Sequence, residues 1–292
     1  MTSSETRRYC GREFSAAEIE TIRQLIADHP DAHRAKLSRL TCEQLGWQRP
    51  DGRLKDMSCR VAMLRMQDDG LFRLPAPRHG NRNGRPYRRR TPEAEPELFP
   101  VEVPAGELLD LHLEPVFGPK ASPLWNEYID RYHYLGYQGL PGAQMRYFAR
   151  ADGRILALLG FGAAAWKTAP RDRFIGWSDA QRRLRLHLVV NNARFLILPW
   201  VRSRHLASRL LGMATRRLAA DWREHYAYSP VLVETFVETP RFQGTCYRAA
   251  NWLHLGETTG RGKLDRKHQA KLPVKAIWVY PLVRNFRRAL RG

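Results

Sequence analysis

Glu234 interrupts the apolar run Val231-Leu232-Val233-Glu234-Thr235-Phe236-Val237, which reads as a buried strand. Asp172 sits in the polar stretch Arg171-Asp172-Arg173, just after a strand. A carboxylate in such a place has either a cationic partner or a chemical task, because an unpaired charge kept from water is costly. The task open to two such acids is to hold Mg²⁺ over a phosphodiester. The structural alternative is ion pairing, Asp172 with Arg171 or Arg173 and Glu234 with Arg194. Tyr247 and His133 are the other reactive side chains. A tyrosine attacks phosphorus only where a base or an arginine activates it, and otherwise it is a phenol packed in a core.

The chemistry belongs to a strongly basic chain. Its 292 residues carry a formal charge of +20 and a pI near 10.4, which points to a polyanionic partner, DNA first, duplex or single-stranded. A membrane partner is not expected: the longest apolar runs, 155–161 and 195–200, are strand-sized, and no basic amphipathic helix accompanies them. The polar first eight residues lack the apolar core of a signal peptide, so a cytoplasmic protein is expected. Cys10, Cys42, Cys59 and Cys246 are scattered without a C-x-x-C pair, which argues for reduced, individually placed thiols over a zinc ribbon or disulfides. A hydrophobic content of 43% with eight tryptophans is enough for a packed core.

The elements that position these residues fall into two domains. Over residues 1–77, Ser15 and Glu18 form a capping box, and Ile19, Ile22, Leu25 and Ile26 follow at helical spacing. A second helix has Leu37, Leu40, Thr41 and Leu45 on one face and stops at Gly46. A third, over residues 54–69, is expected to turn Met57, Val61, Leu64 and Met66 inward and Lys55, Arg60 and Arg65 outward. Leu71-Phe72-Arg73-Leu74 then reads as a short strand. Three helices and a strand, with bases on the last helix, are the order of a winged helix-turn-helix that binds DNA. A small helical packing domain is the alternative.

Residues 78–98 are rich in Arg, Asn, Gly and Pro and read as a linker. Within it Gly84-Arg85-Pro86, flanked by Arg82, Arg88, Arg89 and Arg90, resembles the core of an AT-hook, whose arginines lie in an A/T minor groove. A solvated basic linker touching only phosphates is the alternative. Residues 99–292 read as a mixed α/β domain: a strand within 108–115, a helix at 122–132, strands at 145–149 and 155–163 joined by the hairpin signal Asp152-Gly153, and a strand or strand pair over 186–198. A long helix at 203–226, a buried strand at 231–237, a short helix at 246–251 and a strand at 252–258 complete it. The tail carries Arg261, Lys263, Arg266, Lys267 and further bases to Arg291, a second surface for phosphates.

This strand and helix order resembles the acyltransferase fold of the GCN5-related family. The resemblance implies a coenzyme pyrophosphate on a helix N-terminus behind Gln/Arg-x-x-Gly-x-Gly/Ala, and the matching place reads Arg202-Ser203-Arg204-His205-Leu206-Ala207. His205 replaces the glycine, so acetyl coenzyme A is not the expected cofactor. It also implies a tyrosine general acid in Tyr-x-x-x-Gly-Phe, where this chain has Tyr247-Arg248-Ala249-Ala250-Asn251-Trp252, but Asn191 and Asn192 stand where an acidic base would be.

A further resemblance spans nearly the whole chain. Tyr132-His133-Tyr134-Leu135-Gly136, Arg171 to Ser178, Asn192 to Trp200, Glu234-Thr235-Phe236-Val237, Gly244 to Trp252 and Gly260-Arg261-Gly262 look like the DruA family. That resemblance implies anti-phage defence of the Druantia type, or company with transposase-like mobile elements, and partners among their proteins. In this context Asp172 and Glu234 become Mg²⁺ ligands, Tyr247 a nucleophile, and His133, His205, Arg194 and Arg248 base or phosphate contacts. The expected protein is thus a winged-helix head plus an acyltransferase-like α/β body. It binds DNA through Lys55, Arg60, Arg65, Arg82, Arg85, Arg88, Arg89, Arg90, Arg194, Arg202, Arg204, Arg248, Arg261 and Lys263. It cleaves or transfers strands, with a non-catalytic DNA-binding adaptor and an acyltransferase as the alternatives.

Overall fold

Ser15 starts the first helix as its sequence requires. Its Oγ accepts from Glu18 N at 3.2 Å, and Glu18 Oε2 accepts from Ser15 N at 2.9 Å, opening α1, Ala16–Asp28. The computed structural model describes residues 6–78, 87, 89–261 and 272–292, and the chain divides into two units, Met1–Asn83 and Gly84–Gly292.

In the first unit a hairpin precedes α1: β1, Arg7–Tyr9, pairs antiparallel with β2, Arg12–Phe14. Its two-residue turn holds Cys10 and Gly11 at positive φ (50° and 83°), the shape that matches strand twist. Helices α2, Arg34–Gln44, and α3, Asp56–Asp68, follow. Phe14, Ile22, Leu37, Ala62, Met63 and Met66 fill the core. None of the four cysteines forms a disulfide, and Cys42 and Cys59 are buried as free thiols in this core.

Two expectations for this head are corrected. Residues 71–74 form no strand: Leu71, Phe72 and Leu74 lie half-buried against the core as irregular chain, fixed by Gln67 Oε1, which accepts from Leu74 N at 2.9 Å. The head is therefore a hairpin followed by three helices, and among the described residues no strand follows α3 as a wing. The inward face of α3 is also rotated from the expected one. Cys59, Ala62, Met63 and Met66 are buried, whereas Met57 and Val61 are exposed at 55% and 39%.

The second unit is built on a seven-stranded sheet in the order β3-β4-β5-β6-β7-β9-β8. The strands are β3, His112–Pro115; β4, Met145–Ala151; β5, Arg154–Ala163; β6, Val189–Ile197; β7, Leu232–Glu238; β8, Leu253–Glu257; and β9, Lys275–Pro281. Every neighbouring pair is antiparallel except β6 and β7. Helix α4, Gly118–Tyr132, supplies Trp125 and Ile129 to the core, and α7, Leu206–Tyr226, supplies Leu210, Leu211, Leu218 and Trp222. Four short helices complete the body: α5, Ala169–Ile175; α6, Asp179–Arg185; α8, Thr245–Ala249; and α9, Phe286–Arg291. This is the mixed α/β class expected from the sequence, with β9, α5, α6 and α9 added.

Part of the expected linker belongs to the body. Thr91 N donates to Glu127 Oε1 at 2.6 Å, Tyr132 OH donates to Ala94 O at 2.7 Å, and Ala94 is fully buried. Arg89 and Arg90 are ion-paired with Glu127 and Asp130 of α4 at 3.4 and 3.1 Å. They strap this segment to α4 instead of projecting as a free basic arm. Arg82, Arg85, Arg88 and the Gly84-Arg85-Pro86 segment lie outside the described residues, as does Lys263.

Candidate functional site

Strands β6 and β7 run parallel and pair for only three residues, Val189–Asn191 with Leu232–Glu234. Beyond that point they separate, and the last link is Thr235 Oγ1 donating to Asn192 O at 3.0 Å. A cleft of about 790 Å³ opens between them, within the size range of ligand sites and at the carboxyl ends of the parallel strands, where open α/β sheets bind ligands. Tyr132, His133, Asn191, Asn192, Arg194, Phe195, Thr235, Phe242 and Tyr247 line it, with Arg261 and Lys275.

The burial alternates along β6, so Asn192, Arg194 and Leu196 point to one inner face. Asn192 is fully engaged: Oδ1 accepts from Tyr247 OH at 2.9 Å, and Nδ2 donates to the carbonyls of Gly160 and Arg194 at 3.3 and 3.1 Å. Tyr247 is brought to the cleft by α8. Burial pushes its phenol well above the ordinary value, so it is held neutral as a hydrogen-bond donor and is not activated as a nucleophile. His133, at the C-terminal end of α4, accepts from Leu135 N on Nδ1 at 3.2 Å. Burial and the nearby Arg194 charge lower its pKa to about 4, leaving a neutral imidazole.

Arg194 is only 8% exposed. Nη1 donates to Ala193 O at 2.7 Å, Nε has no partner, and among the described residues no carboxylate pairs with it. The acid the sequence assigned to it is taken elsewhere. Glu234 is fully buried and accepts from Arg171 Nη1 at 2.9 Å and from Ala165 N at 2.7 Å. Arg171, itself fully buried, also donates Nη1 to Ala165 O at 2.8 Å and Nε and Nη2 to Asp172 Oδ1 at 2.9 and 2.8 Å. Trp177 Nε1 adds a bond to Asp172 Oδ1 at 3.1 Å, and Thr168 N one to Oδ2 at 3.2 Å. Burial raises the Glu234 pKa, and Arg171 opposes the rise.

Asp172 and Glu234 thus do meet, but around a guanidinium. They do not fit a Mg²⁺ site, because the cation between them is Arg171 and their oxygens already accept from it and from backbone N–H groups. Among the described residues no group of three or more His, Cys, Asp or Glu side chains could hold a metal ion. The expected metal role becomes a clamp that fixes the chain from Ala165 to Trp177 against β7.

The remaining expected contacts are dispersed. Lys55 is half-buried before α3, Arg60 is paired with Asp56 at 3.7 Å, and Arg65 is exposed. In the body Arg202, Arg204 and Arg248 are exposed, Arg202 lying 3.8 Å from Glu102, and Arg261 is exposed at the cleft. His205 opens α7 in the left-handed conformation (φ 62°), which glycine adopts freely and which here carries an imidazole. Arg202 N is already committed to Val101 O at 2.8 Å. One backbone N–H at the start of that loop is thus closed to a phosphate.

Sequence reasoning missed one basic surface. Helices α5, α6 and α9 pack together through Ile175, Phe286 and Leu290, with Phe174 stacked on Phe286 at 5.5 Å. Arg287 Nε donates to Phe174 O at 3.0 Å and Arg291 Nε to Ile175 O at 2.7 Å. Around them Arg173, Arg183, Arg284 and Arg288 are exposed and, among the described residues, make no side-chain hydrogen bond or ion pair, while the acid Asp179 is held by Arg182 at 2.8 Å. Only the α9 part of this surface was legible, as basic tail residues.

Fold and cleft together define a mixed α/β protein with a cleft where two parallel strands splay. The chain belongs to the DruA family, described as Druantia protein DruA, whose sequence profile matches residues 66–270. No curated protein matches it. Among solved structures it is similar to a GNAT-family acetyltransferase from Streptococcus pneumoniae at 13% identity and a TM-score of 0.37, over 58% of this chain and 99% of that one. A polyamine N-acetyltransferase of Drosophila melanogaster is similar at 12% identity and a TM-score of 0.35, over 58% of this chain and 100% of that one. FeeM, an N-acyl amino acid synthase from uncultured soil microbes, is similar at 8% identity and a TM-score of 0.35, over 62% of this chain and 95% of that one.

Proposed function

We propose that this chain is a DNA-binding protein of anti-phage defence, acting with other defence or mobile-element proteins, and that its body grips DNA through the α5, α6 and α9 surface. The observation that carries this reading is the set of exposed, unneutralised arginines there, Arg173, Arg183, Arg284 and Arg288, on a chain of formal charge +20. Arginines of this kind match phosphate geometry and release counterions on contact with DNA. Holding DNA is favoured over cutting it. The two candidate metal ligands are committed to Arg171, and the candidate nucleophile is a protonated phenol.

The test is DNA binding by fluorescence anisotropy over a range of salt, with duplex and single-stranded oligonucleotides. Replacing Arg173, Arg183 and Arg288 together by Gln is expected to weaken duplex binding at least about tenfold. Each lost phosphate contact should also flatten the salt slope by about 0.9. Equal affinity and slope for the triple variant and the parent would remove the reading. Products cut or covalently attached in the presence of Mg²⁺ would restore the cleaving one.

A further inference from the structure

The cleft between β6 and β7 is served by a cation that nothing among the described residues neutralises. Arg194 is more than nine-tenths buried, lines the cleft, and keeps an Nε–H without an acceptor. The neighbouring charged groups do not answer it. Glu238, also in the lining, is engaged by Arg241 at 3.8 Å; Lys275 and Arg261 add positive charge; and His133 is neutral. A guanidinium held from water in this way is complete only when a ligand brings an anion, and its planar fork suits the oxygens of a phosphate.

The rest of the lining selects among anions. Phe242 stands at the cleft 46% exposed, its ring 5.4 Å from that of Tyr134, which is itself stacked on His133 at 4.9 Å and lies under Arg241 at 4.8 Å. Exposed rings beside a cation are a stacking platform for a base. We propose that the cleft is a nucleotide site, taking one phosphate on Arg194 and the base against the exposed ring of Phe242. This assignment is independent of the DNA grip at α5, α6 and α9. It holds for a free nucleotide and for one nucleotide of a strand drawn into the cleft.

The test is titration calorimetry of the full chain with deoxyadenosine monophosphate, deoxyadenosine, inorganic phosphate, a 5′-phosphorylated single-stranded oligonucleotide, and coenzyme A. The monophosphate or the oligonucleotide should bind, with deoxyadenosine and inorganic phosphate each at least about tenfold weaker. The tighter of the first two identifies a free nucleotide or a strand as the source. Arg194→Met should lose about 10- to 100-fold, the worth of a charge-assisted contact. Arg194→Lys should recover part of that, and Phe242→Ala should weaken the monophosphate while sparing inorganic phosphate. Circular dichroism and melting of each variant establish that it is folded. No nucleotide binding, binding unchanged in a folded Arg194→Met, nucleoside equal to nucleotide, or coenzyme A tighter than both nucleotide ligands would overturn the proposal. None of these outcomes depends on the arginines tested for DNA binding.

Discussion

Two buried arginines in the body have opposite surroundings. Arg171 is fully buried, and its guanidinium is spent on Glu234, Asp172 and the carbonyl of Ala165. Arg194 is nearly as buried and, among the described residues, has no carboxylate and reaches only the carbonyl of its neighbour Ala193. The first is complete within the fold and holds the α5 region to the sheet. The second is complete only with something added. A charged residue deep in a protein therefore signals a ligand when its partner count is short, not merely because it is buried.

The contrast breaks most visibly at the clamp. Arg171→Met leaves two acids without their cation and is expected to cost about 3–5 kcal/mol in urea unfolding, with part recovered when Glu234→Leu is added. A loss below about 1 kcal/mol would mean that the clamp is dispensable. The next effect is on pH. The His133 pKa is depressed to about 4 in the folded protein against an ordinary 6.5, so the unfolded chain binds more protons between these values. Its contribution of about 3 kcal/mol is present above pH 6.5 and lost as pH falls toward 4. Unfolding at pH 7 and pH 4.5 should show that loss in the parent and a smaller one in His133→Phe.

Smaller again is Tyr247→Phe, which removes the donor to Asn192 Oδ1 and should cost about 1 kcal/mol without abolishing DNA binding. The smallest effect is expected at Arg194→Met. Removing an unpaired buried charge should leave stability within about 1 kcal/mol of the parent, or raise it. A loss of 3 kcal/mol or more would place Arg194 in the same class as Arg171.

Local signals carried much of the fold. The capping box at Ser15, the Asp152-Gly153 turn and the apolar run around Glu234 each specify an element without help from distant chain, and each formed as expected. Where distant packing decides, the sequence was silent or misleading. Met57 and Val61 fit an inward helical stripe as well as Cys59 and Met63 do, and only the packing of α2 against α3 chooses between them. Lys275–Pro281 looked like part of a basic tail, yet it is strand β9 between β7 and β8. At the site, the sequence identified Glu234, Asp172, Tyr247, His133 and Arg194 as noteworthy and offered Asp172 to Arg171, a pair that forms, but it offered Glu234 to Arg194. Glu234 finds Arg171, 63 positions away, and so Arg194 is left over.

The most direct test of that difference is to observe both arginines at once. In an ¹⁵N-labelled protein, the Nε–H resonances of Arg171 and Arg194 can be assigned by their loss in the respective Met variants, or in Glu234→Gln if Arg171→Met does not fold. Addition of a deoxynucleotide monophosphate is expected to shift the Arg194 resonance and slow its exchange with water, leaving Arg171 unchanged. An Arg194 resonance indifferent to the nucleotide, or already as protected as that of Arg171 before it is added, would contradict the account.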